Sequence, residues 1–438
     1  MTIYNSVKEL VGNTPLLKID KRTHGLKNVN LYAKLEYYNP YGSLKDRPAN
    51  NMLKDHIKVL KKTNKTVLEA SSGNTAKALC GLSSKEGLSF KTITNRIKQP
   101  EVRKILQIMG AKIQELPGLS DCPDPNDPND FTTVATNLEK SHPKKYFYTD
   151  QYFNELNWQS HHEGTGKELA KDLNQLDFFI GTLGTCGSTY GAGKYLKKNR
   201  NTKIIGAIAE AGQSIPGGRN ATELWEVGIF KKEFYESIES ISTTDAVKSM
   251  KNLIQKEGVL GGPTTGLNYQ ASINYLKKID EKLTKPINAV FIACDRFEWY
   301  LSYIEQHAPE IFDSKEENKK TIDSQSIQQI TQSPTLTPKE VTEMQTKKEL
   351  TIIDIRGKFA YNRGHLPTSQ HIIAEVLEKI IEEGKSFSNN SIIVITCTKG
   401  IISKKFASFL QTQGYEAYSL EGGILNWKGQ GYKLEQTE

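Results

Sequence analysis

Short uninterrupted apolar runs alternate with stretches whose apolar residues recur every three or four positions. This alternation governs the first 310 of the 438 residues. The runs KTVLEAS (65–71), LDFFIGTL (176–183), KIIGAIAE (203–210) and INAVFIAC (287–294) are bounded by Gly, Ser or Asn and predict buried strands. Between them, EVRKILQIMG (101–110) and TDAVKSMKNLIQKEG (244–258) carry the helical spacing. Strand alternating with helix implies βαβ units and a parallel sheet covered on both faces, an α/β fold. LSDCPDPNDPND (119–130), with three prolines and four aspartates, predicts a solvent-facing loop. From Asp313 to Thr337 the pattern lapses into polar residues poor in aromatics, which predicts a flexible linker. Order returns with LTIIDIRG (350–357) and SIIVITCTKG (391–400), two further buried strands, each followed by a helical pattern. The chain therefore divides into 1–312, a linker 313–337, and a small α/β domain 338–438.

Composition narrows the function. Lys+Arg number 58 against 50 Asp+Glu, a net charge of +8, and the lysines are scattered or lie opposite acids. Nucleic acid requires a clustered basic face, so none is expected as a partner. No apolar run approaches the roughly 18 residues of a membrane span. The start MTIYNSVKEL shows no apolar core behind a basic cluster, so no signal peptide is expected. Five cysteines without CxxC pairing argue against a disulfide framework or a zinc ribbon, and no metal site is expected. These features predict a cytoplasmic protein.

Three segments carry candidate chemistry. GTLGTCGSTYGAGKYLK (181–197) follows a buried strand and opens a helix. Backbone N–H groups there, with the hydroxyls of Thr185 and Ser188, make a phosphate cradle, although many such turns merely permit close packing. The spacing is not G-x-G-x-x-G, which disfavours a dinucleotide. EASSGNTAKAL (69–79) places Ser71, Ser72, Gly73, Asn74 and Thr75 at a helix start, where a carboxylate can be held, or a serine can simply cap the helix. Lys45, in YNPYGSLKDRPANNML (38–53), enters a first helical turn. There the macrodipole lowers an amine's pKa and favours Schiff-base chemistry, although surface lysines are common in such basic stretches. A reactive lysine, a carboxylate turn and a phosphate turn are together the parts that a pyridoxal phosphate enzyme needs.

VGNTPLLKI (11–19), the Lys45 segment, SSGNT (71–75), DQYFNELN (150–157), GTCGSTYGAGKYLK (184–197) and EGVLGGPTTG (257–266) resemble cysteine synthase, in order and at family spacing over about residues 1–310. That family has the fold-type II, tryptophan synthase β-like architecture of two parallel-sheet subdomains. SIPGGRNATELWEVGIF (214–230) and ACDRFEWYLS (293–302) lean towards the B isozyme, which accepts thiosulfate as well as sulfide. The resemblance implies pyridoxal 5'-phosphate as cofactor, with Lys45 as its Schiff-base lysine and the group that moves the substrate's α-proton. It implies Asn74 on the ring hydroxyl, and Gly184, Thr185, Cys186, Gly187 and Ser188 around the phosphate. Ser71, Ser72, Gly73 and Thr75, with Gln151, are implied as carboxylate binders. Arg296 falls where relatives face the pyridine nitrogen, and a cation there disfavours a protonated ring. Arg219, in a segment that borders the substrate entrance in relatives, is a candidate for a phosphate leaving group or a loop arginine paired to an acid. Cys186 replaces a glycine of the usual GTGGT, SSGNTA replaces TSGNTG, and Phe297 stands where glycine is common and is expected to narrow the site. The implied activity is cysteine synthesis by β-replacement on O-acetylserine or O-phosphoserine, in a homodimer. Cystathionine β-synthase or cysteine desulfhydrase chemistry at the same site is the alternative.

IIDIRGKFAYNRGHLPTSQHI (352–372), CTKGIIS (397–403) and LEGGILNWKGQGY (420–432) resemble a rhodanese domain. Cys397 ends a buried strand, and the following amides and helix start favour a thiolate or persulfide. Lys399 is the only cation of the loop, because Ile401 and Ile402 occupy positions where relatives often carry arginine. Asp354 and Arg356 match the family's D-x-R and are expected to be structural. Cys80 and Cys294, in apolar surroundings, are expected to be packing residues.

Overall fold

A computed structural model describes residues 3–95, 97–117, 127–223, 228–312, 322, 325–345, 350–382, 387 and 392–437. The chain forms two compact units, Met1–Phe312 and Asp313–Glu438.

The first unit holds two sheets. The larger runs in the order β1 (Leu16–Lys18), β2 (Val29–Leu35), β10 (Ile287–Ala293), β7 (Phe178–Thr182), β8 (Lys203–Ala209), β9 (Ser237–Ile241). The smaller runs β5 (Lys112–Leu116), β4 (Phe90–Asn95), β3 (Thr66–Ala70), β6 (Tyr146–Tyr148). Every pairing is parallel except β1 with β2, where Leu17 stands opposite Ala33 in an antiparallel edge. β7 is buried at all five positions and β8 at six of seven. Their continuous apolar runs follow from helices covering both sheet faces, and the four strands expected from those runs are all present. One core joins Val29, Leu31, Ile180, Ile205 and Phe291 of the larger sheet to Leu253 and Leu267 of the covering helices. A separate core under the smaller sheet gathers Val67, Leu79, Phe90 and Leu106. Both expected helices form, as Pro100–Ile108 and Thr243–Glu257. Of the expected loop 119–130, residues 119–126 lie outside the described residues, and Asp130 caps the helix Phe131–Ser141.

The second unit is a five-stranded parallel sheet in the order β11 (Thr335–Leu336), β15 (Ala417–Leu420), β14 (Ile392–Thr396), β12 (Leu350–Asp354), β13 (Gln370–His371). Val341, Ile352, Val394, Leu420 and Trp427 form its core. The segment expected as a linker is partly built into this unit. Ile327–Gln332 is a helix with a capping box from Ser326 and Gln329, and β11 pairs with β15. Polar composition concealed this, because a short edge strand and a capped single turn need few apolar residues. Residues 313–321, 323 and 324 of that segment lie outside the described residues.

Candidate active site

Parallel strands direct their carboxyl ends, and the turns that follow them, to one side of a sheet, where α/β proteins bind ligands. Here β3 runs into Ser71–Gly73 and the helix Asn74–Lys85, while β7 runs into Gly184–Cys186 and the helix Gly187–Arg200. A single cleft is lined by Lys45, Ser71, Ser72, Gly73, Asn74, Thr75, Gln151, Gly184, Thr185 and Arg219, so ten of the expected site residues converge.

Lys45 is set by the end of β10. Ser43 bridges Asp295, and the Leu44 amide donates to the Cys294 carbonyl at 2.9 Å. Lys45 then caps the helix Asp46–Leu53, its carbonyl accepting from the Ala49 amide at 3.0 Å. Burial lowers its pKa from the ordinary 10.5, in the direction that the helix start also gives.

The carboxylate turn is held from within. Ser71 Oγ accepts from the amides of Gly73 and Ala76 at 3.3 Å, so it caps the helix. Thr75 Oγ1 donates to Gln151 Oε1 at 2.7 Å, and Gln151 Nε2 donates to the Ala70 carbonyl at 3.1 Å. Asn157, at the end of the DQYFNELN motif, is a site residue that sequence reasoning missed. Its Nδ2 reaches both the Gln151 carbonyl (2.6 Å) and Thr185 Oγ1 (3.1 Å), tying the carboxylate turn to the phosphate turn.

At the phosphate turn, Cys186 adopts φ +67°, the left-handed region in which a side chain costs about 1–2 kcal/mol. That conformation accounts for the glycine usual at this position. Cys186, Gly187 and Ser188 are buried behind the turn and do not line the cleft. A Cβ on Gly184 would meet the Gly217 carbonyl at 2.5 Å, so only glycine allows that approach. Cys186 gives its 14-residue helix no side-chain cap, which leaves first-turn amides suited to an anion. Arg219 is buried and donates from Nε to the Gly184 carbonyl at 2.8 Å. A helix start behind a glycine turn, an amine of lowered pKa and a donor-rich turn fit pyridoxal phosphate.

Two expectations are corrected. Arg296 does not line the cleft: its side chain is about one-third exposed and pairs with Glu298. The residue turned inward is Asp295, 2% exposed, whose Oδ2 accepts from Asn74 Nδ2 at 2.6 Å and from the Tyr300 hydroxyl at 2.5 Å. Phe297 does not narrow the cleft either; it packs with Tyr303 and Ile304, while Trp299 and Tyr300 of the same turn line the cleft wall.

Cys397, in the second unit, directly follows β14 and is 5% exposed. Its Sγ lies 3.3 Å from Ser403 Oγ and 3.5 Å from the Ser403 amide, at the start of the helix Ile401–Thr412. Gly400 (φ +80°) and Gly423 (φ +61°) permit the tight loop around it, where a Cβ on Gly423 would collide with the Cys397 carbonyl. Arg356 grips Asp354 through Nε (2.9 Å) and Nη2 (2.7 Å) and also donates to the Gly364 carbonyl, which is a structural role. Lys399, Ile401 and Ile402 are exposed. Burial pushes the Cys294 thiol up to about 12 and raises that of Cys80, as packing residues require, while Cys122 lies outside the described residues. Among the described residues no group of three or more His, Cys, Asp or Glu could hold a metal, and no helix is long and apolar enough to cross a membrane.

Burial raises Glu69 from 4.5 to about 8; its Oε2 lies 2.6 Å from Thr149 Oγ1, and its Oε1 accepts from the Ala70 amide. Between pH 4.5 and 8 the folded chain keeps a proton that the unfolded chain releases, so stability falls as pH rises through that window. Glu69→Gln keeps the shape and removes the titration. Thermal unfolding at pH 5 and pH 9 is expected to show little change at the first and a gain of about 3 kcal/mol at the second. An equal effect at both pH values would contradict the assignment.

Residues 7–295 match the family described as pyridoxal-phosphate dependent enzyme, and residues 337–430 match the rhodanese-like domain. The chain is 32% identical over 304 residues to a cysteine synthase of Aquifex aeolicus, covering 68% of this chain and 90% of that protein. It is 31% identical over 298 residues to cysteine synthase B of Campylobacter jejuni, covering 64% and 93% respectively. The crystal structure of a hydrogen sulfide-producing enzyme from Fusobacterium nucleatum aligns with a TM-score of 0.59 at 28% identity, covering 69% of this chain and 99% of that one. The chain belongs to the pyridoxal-phosphate dependent enzyme family, with cysteine synthases among its relatives, and it carries a rhodanese-like domain beside the catalytic one.

Proposed function

We propose that the chain makes cysteine by β-replacement on an activated serine, and that its rhodanese-like unit carries sulfane sulfur to that reaction on Cys397. One observation carries the reading: Lys45, the Ser71–Thr75 turn with Gln151, and the Gly184–Thr185 turn share one cleft. Bound pyridoxal phosphate supplies an electron sink for the substrate's α-carbon. Lys45 Nζ holds the cofactor and takes the α-proton, aided by the lowered pKa that burial gives it. Ser71, Ser72, Gly73, Thr75 and Gln151 orient the carboxylate, and the hydrogen bonds among Thr75, Gln151 and Ala70 preorganise them. Gly184 and Thr185, with the backbone amides of the helix start behind them, receive the phosphate, and Asn74 the ring hydroxyl. The reading places this activity in a cytoplasmic homodimer, and the free thiols of Cys80, Cys186, Cys294 and Cys397 suit a reducing compartment.

O-Acetylserine and O-phosphoserine are separated by experiment at Arg219. Each is supplied with sulfide to wild type and to Arg219→Ala, and cysteine is quantified. If Arg219 pairs with a phosphate leaving group, O-phosphoserine turnover falls at least about tenfold further than O-acetylserine turnover. Equal losses would contradict a leaving-group role and leave Arg219 a structural residue that holds Gly184. The likeness to a hydrogen sulfide-producing enzyme favours one second reading, the lyase reaction of cysteine desulfhydrase. Sulfide release from cysteine faster than cysteine formation from activated serine would establish it.

A further inference from the structure

A second lysine stands in the cleft. Lys77 lines it from the helix Asn74–Lys85, three residues after Asn74 and so on the same helix face. It is 7% exposed, and its Nζ is buried without a hydrogen-bond partner among the described residues, lying over the ring of Trp299. An ammonium taken from water costs several kcal/mol unless something compensates it, so such a group in a cleft wall points to a missing anion.

The groups facing Lys77 come from every element packed on it. Asp295, at the end of β10, and Asp46, at the start of the helix Asp46–Leu53, are both fully buried and attract it. Tyr300 and Trp299 belong to the short turn Phe297–Tyr300. Asp295 is further bound by Asn74 and Tyr300 and weakly by Thr264 (3.4 Å), while Asp46 accepts from the Tyr41 amide at 2.6 Å. Burial pulls the Lys77 ammonium well below the ordinary lysine value, and the two carboxylates pull it back. Without an anion in the cleft these influences compete. An anion arriving beside Asn74 resolves them in favour of the charged amine.

We propose that Lys77 is a second, non-covalent cofactor lysine, whose ammonium pairs with the ionised ring oxygen of pyridoxal phosphate while Asp295 keeps it protonated. It acts as a positioning and charge-setting residue beside Asn74, distinct from the Schiff-base role of Lys45. The proposal rests on the cofactor occupying this cleft, which the visible absorbance of the wild-type holoenzyme checks independently.

The test compares wild type with Lys77→Met, Lys77→Gln, Asp295→Asn and Lys77→Met/Asp295→Asn, each first shown to be folded by circular dichroism. The readouts are the dissociation constant of pyridoxal phosphate and the holoenzyme's visible spectrum from pH 6 to pH 9. Wild type is expected to keep the longer-wavelength band of the ionised ring oxygen throughout. Both Lys77 variants are expected to bind the cofactor about tenfold more weakly and to lose that band progressively as pH falls. Gln keeps the length and polarity of the side chain, so it separates charge from packing. Asp295→Asn should shift the spectrum in the same direction, and the double variant should lie within about threefold of Lys77→Met alone. The proposal is overturned by a pH-invariant band with cofactor affinity within twofold of wild type in both Lys77 variants. It is equally overturned by a double variant at the product of the two single losses.

Discussion

Lys45→Ala is expected to leave a folded protein that no longer shows the absorbance of lysine-bound cofactor and makes cysteine at least about a thousandfold more slowly. In the proposed function the side chain supplies both the covalent hold on the cofactor and the group that moves the α-proton. Lys77 and Lys98 also line the wall, and Lys77 lies over Trp299 with two buried carboxylates attracting it. The substituted position caps the helix Asp46–Leu53 through its backbone carbonyl, so alanine keeps that hydrogen bond. Thermal unfolding should therefore change by no more than about 1 kcal/mol in the cofactor-free protein. Near-normal cysteine formation by the alanine variant would remove Lys45 from the chemistry.

Cys397→Ser is expected to abolish the release of sulfide from thiosulfate and a thiol reductant, and the cysteine made from it apart from any S-sulfocysteine, while leaving sulfide-dependent synthesis intact. In the forward step the Cys397 thiolate attacks the outer sulfur of thiosulfate; a persulfide forms and sulfite leaves. Two reductant thiols then become a disulfide as that sulfur is released at the sulfide level. The serine hydroxyl is close to isosteric with the thiol and can keep the contact with Ser403, so the loop should survive. The 1–312 fragment, containing the whole first compact unit, is expected to behave as Cys397→Ser does. If the serine variant makes cysteine from thiosulfate as fast as wild type, the two units share a chain without sharing sulfur.

Much of this was legible in the sequence because parallel strands buried on both faces leave unbroken apolar runs, and because the chemistry sits in the turns directly after them. SSGNT and GTCGS are short local signals, and Ser71–Thr75 of the first and Gly184 and Thr185 of the second line one cleft. What sequence could not give was orientation. At the end of β10 successive side chains point to opposite sides, so a one-residue difference decides between Asp295 inside and Arg296 outside. The bridges Ser43–Asp295 and Gly261–Arg296 fix that choice, and both depend on residues remote in sequence. Lys77 was invisible for a similar reason. A lysine in a helix reads as surface, and only the packing of Trp299, Asp46 and Asp295 around it makes it part of the wall. Asn157 carried a fainter signal, a polar residue closing a motif, whose use depends on two turns meeting.

The central claim is that the cleft around Lys45 replaces the β-substituent of an activated serine with sulfur. It is tested most directly by incubating the purified full-length holoenzyme with sulfide and either O-acetylserine or O-phosphoserine, and quantifying cysteine by mass spectrometry. Cysteine is expected to accumulate with equimolar loss of at least one of the two activated serines, dependent on pyridoxal phosphate and absent in Lys45→Ala. No cysteine from either substrate, with a fully loaded cofactor, would contradict it.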